Sequence, residues 1–121
     1  MTPCNRAPVI VEVRGEVDYG SAPVMNQRLS AVLSVRAPAM VLDLSRLTLV
    51  DCAAVRVLAA IERRAAAHGT ALVLAAPRPG VARILQITGP DRQFTVFPTA
   101  AKALTAGRSG WTRTGTGQME A

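Results

Sequence analysis

Few side chains in this 121-residue chain are equipped for chemistry, and they lie far apart. Cys52 and His68, the only histidine, would be the pair for nucleophilic catalysis, but they stand at the two ends of one predicted helix. Their separation along its axis is about 24 Å, too far for a dyad within one subunit. One histidine with two distant cysteines, Cys4 and Cys52, makes neither a zinc set nor a disulfide framework. No glycine-rich phosphate loop, dinucleotide fingerprint or nucleophile elbow occurs. Asp18, Asp43 and Asp51 could in principle gather at strand ends around Mg²⁺. Asp43, however, falls within a predicted strand, and no lysine follows the late strand until Lys102. Carboxylates at strand ends are more often caps and turn formers. These residues support no enzyme and call for no metal or cofactor.

The stretch that does raise a question is "LTLVDCAAVRVL", Leu47 to Leu58. Asp51 as the N-cap of the following helix would accept a hydrogen bond from an unpaired N–H and meet the positive end of the helix dipole, for about 1 kcal/mol. Residue chemistry leaves two readings open, a helix start alone or a helix start that is also a site. In open α/β sheets, sites form beyond the C-terminal ends of strands, where loops enter helices. Val50 to Ala54 sits at such a place.

The elements that must position it follow from periodicity. Pro8 to Val17 alternates with period two and predicts one strand, bent or ended at Gly15. Asp18-Tyr19-Gly20 is a turn, and Ser21 is the expected N-cap of a helix that carries Met25, Leu29, Val32 and Leu33 on one face and closes at Pro38. Ala39 to Leu44 reads as a strand covered on both faces, hence central. A loop, Ser45 to Val50, leads into a helix from Asp51 to about His68, stopped by Gly69. On it Ala54, Val57, Leu58, Ile61 and Ala65 should face the sheet, with Ala53, Arg56, Ala60, Arg63, Arg64 and Ala67 on the other side. Ala71 to Ala75 is the next buried strand, and Pro77-Arg78-Pro79 opens a short helix with Val81, Ile84 and Leu85 inward, ended by Gly89 and Pro90. Phe94 to Phe97 is a last short strand and "PTAAKAL" a last short helix. Strands alternating with helices call for a mostly parallel sheet with helices packed on it. Residues 106–121, rich in Gly and Thr and without periodicity, predict a disordered tail with Trp111 as its one aromatic residue.

Composition narrows the function classes. The length suits one domain. Half of the residues are apolar but only 3% are aromatic, so Ala, Val, Leu and Ile must fill the core, and no large aromatic pocket is on offer. No apolar run approaches the roughly 20 residues of a bilayer span, and the first residues lack a signal-peptide pattern. A cytoplasmic protein with reduced thiols and no membrane insertion is expected. The net charge of +6 is spread along the chain with almost no aromatics for stacking, which reads as a soluble basic surface and not a nucleic-acid site.

Five blocks in a fixed order carry a resemblance: "GEVD" (Gly15 to Asp18), "VLDLSRLTLVD" (Val41 to Asp51), "HGTALVLAAP" (His68 to Pro77), "VARILQITG" (Val81 to Gly89) and "FTVFPTAAKAL" (Phe94 to Leu104). The chain resembles the STAS domain family, and within it the bacterial anti-sigma factor antagonists. This resemblance implies an STAS-like α/β fold over residues 8–105, a small mixed sheet of about four strands with helices packed mainly on one side. Residues 1–7 form a short N-terminal extension, and Pro3 and Asn5 in it are poor strand formers, so the family's usual first strand is expected to be truncated. A sheet edge left uncovered there would support self-association or partner docking.

The resemblance also implies a binding module in a partner switch that regulates transcription. Such an antagonist docks onto an anti-sigma factor, a serine-protein kinase of the histidine-kinase-like ATPase type, and frees the sigma factor; the kinase phosphorylates it to end the contact. The family pattern is Asp-Ser-Ser/Ala-Gly, phosphorylated two residues after the aspartate. Here that position is Ala53, which has no hydroxyl, while Cys52 replaces the usual Ser and Ala54 the usual Gly. Ser45, Thr48 and Thr88 are hydroxyls nearby that no spacing singles out. A phosphate would bring about −1.5 to −2 charges next to Asp51, so Ala53 resembles the unphosphorylated state electrostatically. The implied partner-binding residues are Asp18, Asp51, Cys52, Ala53, Ala54 and Arg56, with Asp51 positioning the loop. Asp18, the acid of the "GEVD" block, equally fits a plain Asx turn. The alternative is a degenerate STAS subunit of another complex, such as a lipid-transport ABC system or a sensory scaffold.

Overall fold

The computed structural model describes residues 7–88 and 94–105, apart from the side chains of Ile87 and Thr88. The elements run β1 (Val9–Glu12), β2 (Gly15–Val17), α1 (Ala22–Leu33), β3 (Ala39–Asp43), β4 (Leu47–Val50), α2 (Cys52–Ala67), β5 (Ala71–Ala75), α3 (Pro79–Thr88), β6 (Thr95–Phe97) and α4 (Ala100–Thr105). Four strands form a sheet in the order β1-β3-β5-β6, and β2 pairs with β4 in a separate two-stranded sheet. Every pairing among the described residues is parallel, where the resemblance implied a mixed sheet within the same α/β class.

The central strands explain the layering. Met40, Leu42, Leu72, Leu74 and Val96 point to one face and pack with Leu29, Leu33, Leu58, Ile61 and Leu85 of α1, α2 and α3. Ala39, Val41, Val73 and Ala75 point to the other face, where Ala103 of α4 meets them. Small side chains on that second face let a six-residue helix approach the sheet closely. On α2, Ala54, Leu58, Ile61 and Ala65 are buried as their spacing requires, Val57 of the same expected face is only half-buried, and Val55 and Ala59 are buried in addition. The extra buried stripe has a cause outside the helix itself: α1 and α3 both pack against α2, so α2 meets helices as well as the sheet.

Three expectations are corrected. The segment from Pro8 to Val17 is not one strand, because Gly15 takes a φ of +78° and re-aims the chain. It leaves β1 in the main sheet and sends β2 to pair with β4. The segment Ser45 to Val50 is not all loop, since its last four residues are β4. Helix α1 also ends at Leu33, before Pro38, with Ser34 as C-cap. The expected strand truncation and disordered tail fall on residues 1–6 and 106–121, outside the described residues.

Candidate functional site

Strand pairing builds the site. β2 and β4 run parallel with Val17 opposite Val50, both buried, so the chain leaves the two strands side by side at Asp18 and Asp51. The pairing is irregular between Gly15 and Glu16, which stand opposite Leu47 and Leu49. Thr48 is the extra residue, and its hydroxyl donates to the Gly15 carbonyl at 3.0 Å. This bulge, sealed by one side chain, sets the register that brings the ends level.

Asp51 is the N-cap of α2, in an extended conformation. Its Oδ1 accepts from the Ala54 N–H at 3.0 Å, as the capping pattern requires. Its Oδ2 accepts from the Tyr19 N–H at 2.8 Å, across 32 positions of sequence. One carboxylate therefore ties the β2–α1 turn to the start of α2, and both oxygens are used.

The turn itself is locked by Asp18 and Ser21. The Ser21 N–H donates to Asp18 Oδ1 at 3.0 Å and its hydroxyl donates to the same oxygen at 3.2 Å, while the Asp18 N–H donates back to Ser21 Oγ at 3.0 Å. The backbone bond from Ser21, then its hydroxyl, hold the exposed Asp18 carboxyl below its ordinary value. Ser21 occupies the N-cap position of α1 without a side-chain cap bond; the Asp18 carbonyl accepts from the Ala22 N–H instead, at 2.7 Å.

The surface around this bridge is mixed. Cys52 and Arg56 are exposed, and Asp51 and Ala53 are half-buried. Ala54 is fully buried, so its side chain is unavailable to a partner, contrary to the expectation; it serves the site through its N–H alone. Tyr19 is 82% exposed and Leu49 51% exposed, two apolar side chains in an otherwise polar setting. Neither was foreseen: Tyr19 reads as a turn residue, and Leu49 as part of a loop. Of the other hydroxyls, Thr48 is committed to Gly15, and Ser45 is half-buried with its N–H on Asp43 Oδ1 at 3.0 Å. The side chain of Thr88 lies outside the described residues.

The arrangement positions a surface. Cys52 opens α2 and His68 caps its far end. Asp43 turns its carboxylate to Ser45, and no group of three or more His, Cys, Asp or Glu side chains suited to a metal ion occurs among the described residues. No helix among them is long and apolar enough to cross a membrane.

Known proteins share this fold. A protein of Mycobacterium tuberculosis that carries the name of an anti-anti-sigma factor, Rv2638, is 30% identical over 106 residues, 86% of this chain and 72% of the relative. The crystal structure of an anti-sigma factor antagonist from Mycobacterium paratuberculosis superposes with a TM-score of 0.75 at 30% identity, covering 89% of this chain and 92% of that one. A sulfate transporter family protein from Wolinella succinogenes shares the fold, with a TM-score of 0.62 at 22% identity over 85% of this chain and 86% of that one. The family model for the STAS domain matches residues 1–103, and the chain belongs to the STAS domain family.

Proposed function

We propose that this chain is an anti-sigma factor antagonist that binds an anti-sigma factor kinase through the surface around Asp51, and that it escapes phosphorylation at the family's usual position. The observation that carries the reading is the Asp51 bridge: a carboxylate bonded to Tyr19 and Ala54 presents Tyr19 from the β2–α1 turn and Cys52 and Arg56 from the start of α2 as one preorganised surface. Exposed tyrosine and arginine are the side chains most often found to anchor protein interfaces. The likeness to antagonists at 30% identity supports the choice of partner. Ala53 offers no oxygen to a kinase, so the contact is not ended by phosphoryl transfer there, and release depends on abundance, a different residue or a third protein.

A second reading stands on the shared fold of the Wolinella sulfate transporter family protein. In it the chain is a subunit of a transport or sensory assembly, and the same surface meets another partner.

Affinity capture from the native cell extract with wild type and Ala53→Glu separates the two. Under the first reading wild type retains a histidine-kinase-like anti-sigma factor and the glutamate variant, which adds charge beside Asp51, loses it. A transporter ATPase retained in place of that kinase selects the second.

A further inference from the structure

We propose that the outer edge of β1 is a self-association surface on which a second copy of this chain pairs its own β1 antiparallel, continuing the four-stranded sheet across a two-fold axis. β1 is the end strand of the sheet. The Val13 N–H donates to the Asp43 carbonyl at 3.1 Å, and by strand alternation Val11 and Val9 also turn their backbone groups to β3. Ile10 and Glu12 therefore turn their N–H and C=O groups outward, and nothing among the described residues pairs with them. Unpaired edge groups of this kind are a template for another strand.

Three features select a second copy as the occupant. First, β1 is self-complementary. With Val11 on the axis, Ile10 of one copy faces Glu12 of the other, and each pair exchanges two backbone bonds, four in all. Centring on Ile10 leaves only one such pair within β1, and centring on Glu12 sets two carboxylates directly opposite each other, which is unfavourable.

Second, the side chains match in that register. Val9, Val11 and Val13 lie on one face and would meet Val13, Val11 and Val9 of the copy, a β-branched ladder. On that face a groove of about 270 Å³ between β1, β2 and α1, lined by Val11, Val13, Met25 and Leu29, continues the apolar surface. Ile10, on the opposite face, is 48% exposed, and α4 packs on that face chiefly over β3, β5 and β6.

Third, charge permits it. The chain carries a net +6, so like copies repel over most of their surface. The groove is lined by Glu12 and Glu16 against Arg14 and Arg28, a balanced set. Glu12 is further held by Arg14 and Arg46 at 3.4 Å each, which blunts the charge an edge strand uses to turn strands away.

A four-residue edge makes a modest, concentration-dependent dimer, and sedimentation velocity from micromolar to millimolar concentration tests it, with amide exchange followed at Ile10 and Glu12. Wild type is expected to dimerise, with exchange at both amides slowing as concentration rises. Ile10→Pro removes only an outward N–H, which an edge strand tolerates, and should weaken association by roughly tenfold or more with an unchanged circular dichroism spectrum. Ile10→Glu keeps the N–H and the fold but sets a second carboxylate directly opposite Glu12 of the copy, and should weaken it as well. A wild type that stays monomeric to millimolar concentration overturns the proposal: amides protected throughout would put another segment of the same chain on the edge, and amides exchanging freely would leave it to a foreign strand. A dimer that persists unchanged in both variants also overturns it, by placing the interface elsewhere.

Discussion

The Asp51 carboxylate accepts the Tyr19 N–H at 2.8 Å on one oxygen and the Ala54 N–H at 3.0 Å on the other. Asparagine caps helices about as well as aspartate but has a single acceptor oxygen. Asp51→Asn thus separates a cap from a bridge. We expect a loss of about 1 kcal/mol by denaturant titration and faster exchange at the Tyr19 or the Ala54 amide. Asp51→Ala, which removes both bonds, should cost about 2 kcal/mol. An Asn variant as stable as wild type would mean that the Tyr19 contact contributes nothing.

Asp18 makes acid stability measurable at one residue. Its folded-state pKa lies below the ordinary value because Ser21 donates to the carboxylate. The proton is therefore bound more tightly in the unfolded chain, and stability contributed by Asp18 is present in full above the ordinary carboxylate range. It is lost as pH falls through that range and the lowered folded value. Asp18→Asn should flatten this part of the stability–pH curve relative to wild type. Parallel acid limbs in the two proteins would refute the assignment to Ser21.

Gly15 isolates backbone strain from crowding. Its φ is +78°, and a Cβ built there meets nothing within 4 Å. Gly15→Ala should cost on the order of 1 kcal/mol from the left-handed backbone alone. Calorimetry reads the cost as a lower Tm. No change would mean that the chain relaxes out of this conformation freely.

Much of this architecture was legible because local signals agreed with tertiary need. Asp51 and Gly69 bracket α2, its apolar spacing gave the sheet-facing stripe, and the run from Ala71 to Ala75 is β5 with the same bounds. β4 was not legible, since the bulge at Thr48 breaks its period and leaves Thr48 and Leu49 both exposed between buried Leu47 and Val50. β2 has one buried residue in three, too few for any pattern. The Asp51–Tyr19 contact depends on the β2–β4 register, a non-local fact that no window around either residue contains. Val55 and Ala59 were missed for the same reason, because α2 packs against other helices as well as the sheet.

Thr70 tests a buried polar tie. It is 3% exposed, and its hydroxyl donates to the Ala37 carbonyl at 2.7 Å, joining the entrance of β5 to that of β3. Thr70→Val keeps the shape and removes the donor, leaving the carbonyl unsatisfied. The expected loss is about 1–3 kcal/mol, seen as a lower denaturant midpoint with an unchanged slope. A neutral result would require another donor to reach the Ala37 oxygen.

Ala53 allows a gain-of-function test of the proposed partner surface. It is the second residue of α2, directly before Ala54, whose N–H is held by Asp51, and its half-buried side chain has an exposed neighbour in Cys52. Ala53→Ser adds one oxygen at a helix start, where serine costs little; we expect a stability change of about 0.5 kcal/mol or less. Given an anti-sigma factor kinase that binds wild type, with Mg²⁺ and ATP, the serine variant should take up one phosphoryl group, detected by intact mass, and then dissociate. Wild type under the same conditions should remain unmodified and bound, because charge repulsion beside Asp51 cannot develop without an acceptor. Stoichiometric phosphorylation of wild type would show that another hydroxyl serves the switch, and the account of Ala53 as a fixed unphosphorylated state would fail.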